Sequence, residues 1–195
     1  LVARFIDNFV VRRSVNYRLF SSNSIRYTMC NLTKAIRDKS IEDLKQVLSE
    51  NVEKIEDFEK AMPKFKLHGQ NGRFVKYLLA RITSYIEVQC KMSNNFATYM
   101  TNPECKPFEI EHIWSDHYEW HKDEFNMKSD FDDVRNSIGG LILLPNGVNQ
   151  SLNDMRTPNK LPHYIKQNIL AQSLCDLTYT NNPAFTNFIK EYTLD

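Results

Sequence analysis

Between Arg73 and Lys91, large apolar side chains return at every fourth residue, Phe74, Leu78, Ile82 and Ile86, with Tyr77 and Tyr85 beside them. That interval puts them on one face of a long helix, and so apolar a face has to be covered by other parts of the chain. Whatever else this sequence forms, it forms against that helix.

Other helical registers surround it. Residues 1–13 carry Val2, Phe5, Ile6, Phe9 and Val10 on one side, and a second helix is predicted over 24–37. Ser40-Ile41-Glu42-Asp43 has the form of a capping box and opens a stripe of Ile41, Leu44, Val47 and Leu48. Val52, Ile55, Phe58 and Met62 continue it after a break, until Pro63. His68–Gly72 reads as a loop, and residues 92–107 as a connection with turn signals at Asn94-Asn95, Asn102-Pro103 and Pro107. Pro162 opens a helix predicted to run through Leu177, and Asn182-Pro183 caps a last one bearing Phe185, Phe188, Ile189 and Tyr192. Residues 108–165 differ in kind, with short apolar runs between long polar loops. The expectation is an α+β fold: a helical scaffold over 1–105, a small mixed insert over 106–160, and helices over 161–195 packing back on the body.

A chain of 195 residues can bury one good core. No apolar run approaches the roughly 20 residues of a membrane span, and the first residues lack a signal-peptide pattern. Cys30, Cys90, Cys105 and Cys175 are scattered without a C-x-x-C pair, as expected of reduced thiols in a cytoplasmic protein. The first residue, Leu1, is not methionine, so a fragment or processed form is expected. The net charge of +1 conceals an asymmetry: residues 1–100 hold 17 Lys/Arg against 10 Asp/Glu, and residues 101–195 hold 8 against 14. Arg12, Arg13, Lys64, Lys66 and Arg73 are therefore candidates for contact with a phosphate backbone. Charge alone favours the plainer reading of solvated helix faces.

The chemistry gathers at Glu109-Ile110-Glu111-His112-Ile113, the end of a predicted strand. A second predicted strand, Gly139-Gly140-Leu141-Ile142-Leu143-Leu144, leads through Pro145-Asn146-Gly147 into a short helix that starts near Asn149. Hydrolysis of a phosphodiester needs an activated water and a cation for the charge that develops on phosphate and leaving oxygen. His112 can take the proton at physiological pH. A hard cation such as Mg²⁺, or Mn²⁺, asks for only one or two protein oxygens, which Glu111 and Asn149 can supply. Neighbouring side chains on a strand point to opposite faces, so Glu111 and His112 share a site only where the strand bends or ends.

The arrangement resembles the HNH, or ββα-metal, nucleases, and more closely the C-terminal domain of GmrSD-type restriction proteins. The resemblance lies in Ile110-Glu111-His112-Ile113, in Gly139–Leu144, in Asn149-Gln150-Ser151-Leu152 and in Lys160. It extends upstream to Phe9-Val10-Val11-Arg12-Arg13 and Tyr77-Leu78-Leu79-Ala80-Arg81-Ile82. It implies a small ββα-metal insert in a mainly helical body and a Mg²⁺- or Mn²⁺-dependent endonuclease acting on double-stranded DNA, modified DNA included, in prokaryotic restriction. It makes His112 the general base, Asn149 and Glu111 metal ligands and Lys160 a neighbour of the phosphate, with Ser151 and Asn153 in support. It also implies a ParB-like nucleotide-binding domain preceding this segment in the full-length protein. Two positions depart from the pattern: Gly140 stands where the family has an orienting asparagine, and Ser115 where it has proline.

Two other activities remain open on the residues: a catalytically silent DNA-binding or regulatory module on the same scaffold, motivated by Gly140, and a helical interaction domain. His112, His117 and His121 with Cys105 have spacings that allow a zinc site, but no paired ligand motif supports one. Trp114, Tyr118, Trp120 and Phe125 are read as packing rather than base-stacking residues, and the acids Asp116, Glu119, Asp123, Glu124, Asp130, Asp132 and Asp133 as a solvated insertion.

Overall fold

The helical stripe of Val2, Phe5 and Phe9 lies on α1 (Val2–Val15) in the computed structural model, which describes residues 1–18, 20–53, 57–101 and 107–194. α2 (Ser22–Ile36) begins at a reciprocal cap in which Ser21 Oγ accepts from Ser24 N and Ser24 Oγ accepts from Ser21 N. α3 (Ile41–Glu53) starts where Ser40 Oγ accepts from Asp43 N at 3.1 Å. Phe5 and Phe9, Leu32 and Leu48 from the three helices bury one another, with Ile25, Met29, Ile36 and Leu44 packed around them. A short α4 (Phe58–Ala61) is capped by Asp57 and gives way at Pro63 to a tighter turn. Residues 1–65 form one compact unit and residues 66–195 a second. The segment 1–105, expected as one scaffold, therefore spans both units.

The second unit is built on α5 (Gly72–Gln89). Its most buried residues are Val75, Leu78, Leu79, Ala80, Thr83, Ser84 and Glu87, whereas Tyr85 is exposed. The buried line thus lies about one residue beyond the predicted stripe of Phe74, Leu78, Ile82 and Ile86. Small and polar side chains on it admit close neighbours: Thr83 Oγ1 donates to Leu79 O, and Glu87 accepts from Tyr99 and Asn95. Tyr99 belongs to α6 (Phe96–Thr101), a helix inside the segment expected to be only a connection. Ile55, Cys105 and the Asn102-Pro103 turn lie outside the described residues.

The strands follow. β1 (Phe108–His112) pairs antiparallel with β2 (Leu141–Pro145), with Glu111 opposite Ile142 and His112 opposite Leu141. Between them the acidic segment is folded rather than merely solvated. It carries α7 (Lys128–Arg135), whose Phe131 is fully buried and stacks with Trp114 at 6.0 Å and His121 at 5.2 Å. Lys128 ties Asp116 to Asp132, and Lys66 meets Asp133 at 2.6 Å. β2 starts later than predicted, because residues 138–140 form a single tight turn before it.

α8 (Asn146–Leu152) leaves β2 at once, and α9 (Thr157–Tyr164), α10 (Ile169–Gln172), α11 (Asp176–Asn181) and α12 (Pro183–Glu191) complete the unit. The single helix predicted from Pro162 to Leu177 is thus three. Asn168 breaks it, capping α10 through Ala171 N while donating to Leu143 O at 2.6 Å. Ile142 and Leu144 of β2 join Leu152, Tyr164, Ala171 and Cys175 in one core cluster, and Phe185 and Phe188 of α12 join Ile169 and Cys90 in another. Among the described residues no helix is long and apolar enough to cross a membrane.

Candidate active site

In an antiparallel pair, residues opposite each other share a face. Glu109 and Glu111 therefore lie on the face of Leu144 and Ile142, over which α8 and α9 pack, and His112 lies on the opposite face with Leu141. The strand ends at His112, but it does not turn the two side chains to one side.

On the first face Glu111 is 5% exposed and Lys160 1%. Lys160 Nζ donates to Glu111 Oε1 at 2.7 Å and to the His112 carbonyl at 2.9 Å, and Tyr164 OH donates to the same Oε1 at 3.1 Å. A carboxylate this buried has to be paired, and here the pairing also pins it. Lys160, expected beside a phosphate, is committed to Glu111 and the strand end. Two residues earlier, Glu109 accepts from Asn146 Nδ2 at 2.6 Å and from Asn149 Nδ2 at 3.3 Å, and Asn149 also reaches Ile110 O. Asn149 is thus drawn to Glu109, and no described contact joins it to Glu111. Ser151, half a turn on, is exposed and donates to Val148 O, and Asn153 ends α8 exposed.

The donor set suits a hard cation: two carboxylates on one strand face, with the amide oxygens of Asn146 and Asn149 at the start of α8. Glu111 has one oxygen, Oε2, without a hydrogen-bond partner among the described residues.

On the other face His112 Nε2 lies 2.9 Å from Asn136 Oδ1. Burial pushes the imidazole pKa below its usual value, which the Asn136 contact partly offsets and nearby Arg135 reinforces. The ring is therefore neutral at physiological pH. Past it, Ile113, Trp114, Val134, Arg135, Ser137, Gly139 and Gly140 line an open pocket of about 180 Å³. Gly140 is dictated by the turn itself: a Cβ there would meet Arg135 O at 2.6 Å and Val134 O at 3.0 Å. An asparagine there would have to displace that backbone. Ser115, in place of proline, is buried and donates to Met155 O at 2.6 Å, tying the strand end to the chain after α8.

The model of the GmrSD restriction endonuclease C-terminal domain matches residues 52–187. The chain belongs to this family. The match takes in the whole β1–β2–α8 region and α9 and begins after α1 and α2, so the stretch Phe9–Arg13 lies outside it. Comparison with curated proteins and with solved structures gives no match. Membership in the GmrSD family makes this a domain of restriction-endonuclease type.

Of the other expected site residues, Lys64 and Arg73 are exposed, Arg12 is half-buried, and Arg13 is half-buried with its guanidinium over the rings of Phe9 and Phe20. The three histidines of the zinc set have other partners: His117 stacks on Trp120 at 4.0 Å and His121 on Trp114 at 4.6 Å, while His112 meets Asn136. Among the described residues no three His, Cys, Asp or Glu side chains form a metal cluster. Trp114, Tyr118 and Phe125 surround Phe131 as packing residues, and Trp120 lies under Arg156 at 4.7 Å. Sequence reasoning missed Glu109, Tyr164 and Asn136 as parts of the site. Glu109 had a signal, since it shares a strand face with Glu111; Asn136 and Tyr164 stand on other elements at separations that no motif marks.

Proposed function

We propose that this GmrSD-family domain is a divalent-metal-dependent HNH-type endonuclease that cleaves double-stranded DNA. The observation that carries the reading is His112: a histidine at a strand end, its pKa lowered by burial and its ring held by a side-chain amide, on the face of β1 opposite Glu109 and Glu111 within a β1–β2–α8 order. His112 takes the proton of a water as that water attacks phosphorus. Glu111, Asn149 and Glu109 are the residues that would hold Mg²⁺ or Mn²⁺. When bound, the ion would stabilise the charge that builds on the phosphate and on the 3′ leaving oxygen. Lys160 and Tyr164 hold Glu111 Oε1, which leaves Oε2 as the oxygen an ion would take. Of the five basic candidates, Lys64 and Arg73 are the exposed ones, and these are the two proposed to meet backbone phosphates. The role we propose is restriction of foreign, modified DNA in a prokaryotic cytoplasm.

The test is nicking of supercoiled plasmid by the purified chain in Mg²⁺ or Mn²⁺. His112→Ala is expected to lower cleavage by about 100-fold or more, with an unchanged far-UV circular dichroism spectrum. Cleavage by that variant at the parent rate would overturn the assignment. Salt-sensitive DNA binding without any turnover by the parent chain would favour a silent binding module instead.

A further inference from the structure

We infer that Asn136 is the residue that sets the tautomer of His112, so that Nδ1 is the atom that accepts a proton. Asn136 ends α7, and three bonds hold it in place. Its backbone N–H donates to Asp132 O at 2.9 Å, its side-chain Nδ2 donates to the same carbonyl at 2.8 Å, and its own carbonyl accepts from Leu67 N at 2.8 Å. The Asp132 carbonyl can only accept. Rotating the amide by half a turn would set two oxygens against each other, so Nδ2 belongs on Asp132 and Oδ1 on His112. An amide oxygen also can only accept, so the hydrogen in the 2.9 Å contact belongs to His112 Nε2. A neutral imidazole with hydrogen on Nε2 carries its lone pair on Nδ1. Nδ1 has no hydrogen-bond partner among the described residues, which leaves it available to a water.

The assignment deepens the general-base reading of His112 and takes its catalytic meaning from it. The tautomer itself is a property of the resting chain and is measured without any turnover. Asn136 is a positioning residue: it acts through the histidine it holds.

The experiment is two-bond nitrogen–carbon-proton correlation spectroscopy of the ¹⁵N-labelled chain above the histidine titration range, with His112 assigned by its loss in His112→Gln. The parent is expected to show the pattern of protonated Nε2 and bare Nδ1. Asn136→Asp gives up the Nδ2 bond to Asp132 O but keeps an acceptor for the ring, and is expected to keep that pattern. Asn136→Leu removes the acceptor and is expected to move His112 to a mixture of tautomers, with the backbone amide spectrum otherwise retained outside α7. A parent with hydrogen on Nδ1, or a tautomer unmoved in a folded Asn136→Leu chain, would overturn the inference. If Asn136→Leu fails to fold, the parent and Asn136→Asp spectra still decide it. Where the parent cleaves DNA, Asn136→Leu is expected to lower kcat about 10- to 100-fold with KM within about twofold. Cleavage by His112→Ala together with the expected tautomer would reject the base and leave the tautomer assignment standing.

Discussion

Lys160 Nζ sits 2.7 Å from Glu111 Oε1 in a place where neither side chain sees appreciable solvent. Lys160 comes from α9 and Glu111 from β1, 49 residues apart, so the pair joins the hairpin to the helices that follow it. Lys160→Met leaves a buried carboxylate without its cation and is expected to cost about 3–5 kcal/mol of folding stability. The double change Glu111→Gln with Lys160→Met is expected to recover much of that loss. Urea unfolding of the two variants checks this, and equal destabilisation in both would contradict it.

Tyr164 donates to the same oxygen, and Tyr99 donates to Glu87 in the same way. Burial first, then the neighbouring carboxylate, raises both phenol pKa values above the ordinary value of 10.0. The folded chain thus keeps protons there that the unfolded chain releases. Stability from these two groups is present below pH 10 and falls as pH rises beyond it. Alkaline unfolding measured from pH 9 to 11 is expected to steepen above pH 10, and Tyr99→Phe with Tyr164→Phe to flatten that dependence.

For His112 the sign is opposite. Its folded pKa lies below the ordinary 6.5, chiefly through burial. The unfolded chain therefore binds a proton more readily. The stability this group contributes is complete above pH 6.5 and declines as pH falls toward the folded value. Unfolding free energies at pH 5 and pH 7 are expected to differ less in His112→Gln than in the parent. Cleavage is expected to persist below pH 6.5 for the same reason.

The adjacent glycines give a paired test. At Gly139 an added Cβ meets nothing within 4 Å, whereas at Gly140 it meets Arg135 O at 2.6 Å. Gly139→Ala is expected to change stability by no more than about 0.5 kcal/mol. Gly140→Ala is expected to cost about 1–3 kcal/mol, because the obstructing atom is backbone and cannot swing aside. Thermal melts of the two variants distinguish them directly.

Local chemistry was legible in the sequence. The capping serines at 21 and 40 lie where helices begin, though only Ser40 was read as a cap, and Asn182-Pro183 opens α12 as written. The apolar runs around Glu111 and through Leu141–Leu144 are the two strands, while the short helix begins at Asn146, inside the predicted turn, and carries Asn149 in its middle. These follow from period, caps and turn residues, which act over a few positions. In the acidic segment 116–133 charge counts outweigh a lone Phe131 and suggest a solvated insertion, because the burial of Phe131 depends on Trp114 and His121 arriving from elsewhere. Period, caps and turn residues thus specify the helical frame, the two strands and the residue types available for phosphodiester chemistry. That Lys160 belongs to Glu111, that Asn149 turns to Glu109 and that Asn136 serves His112 depends on the packing of elements distant in the chain. Each of those partnerships joins residues 24 to 49 positions apart, and a hydrogen bond reads distance in space rather than along the chain.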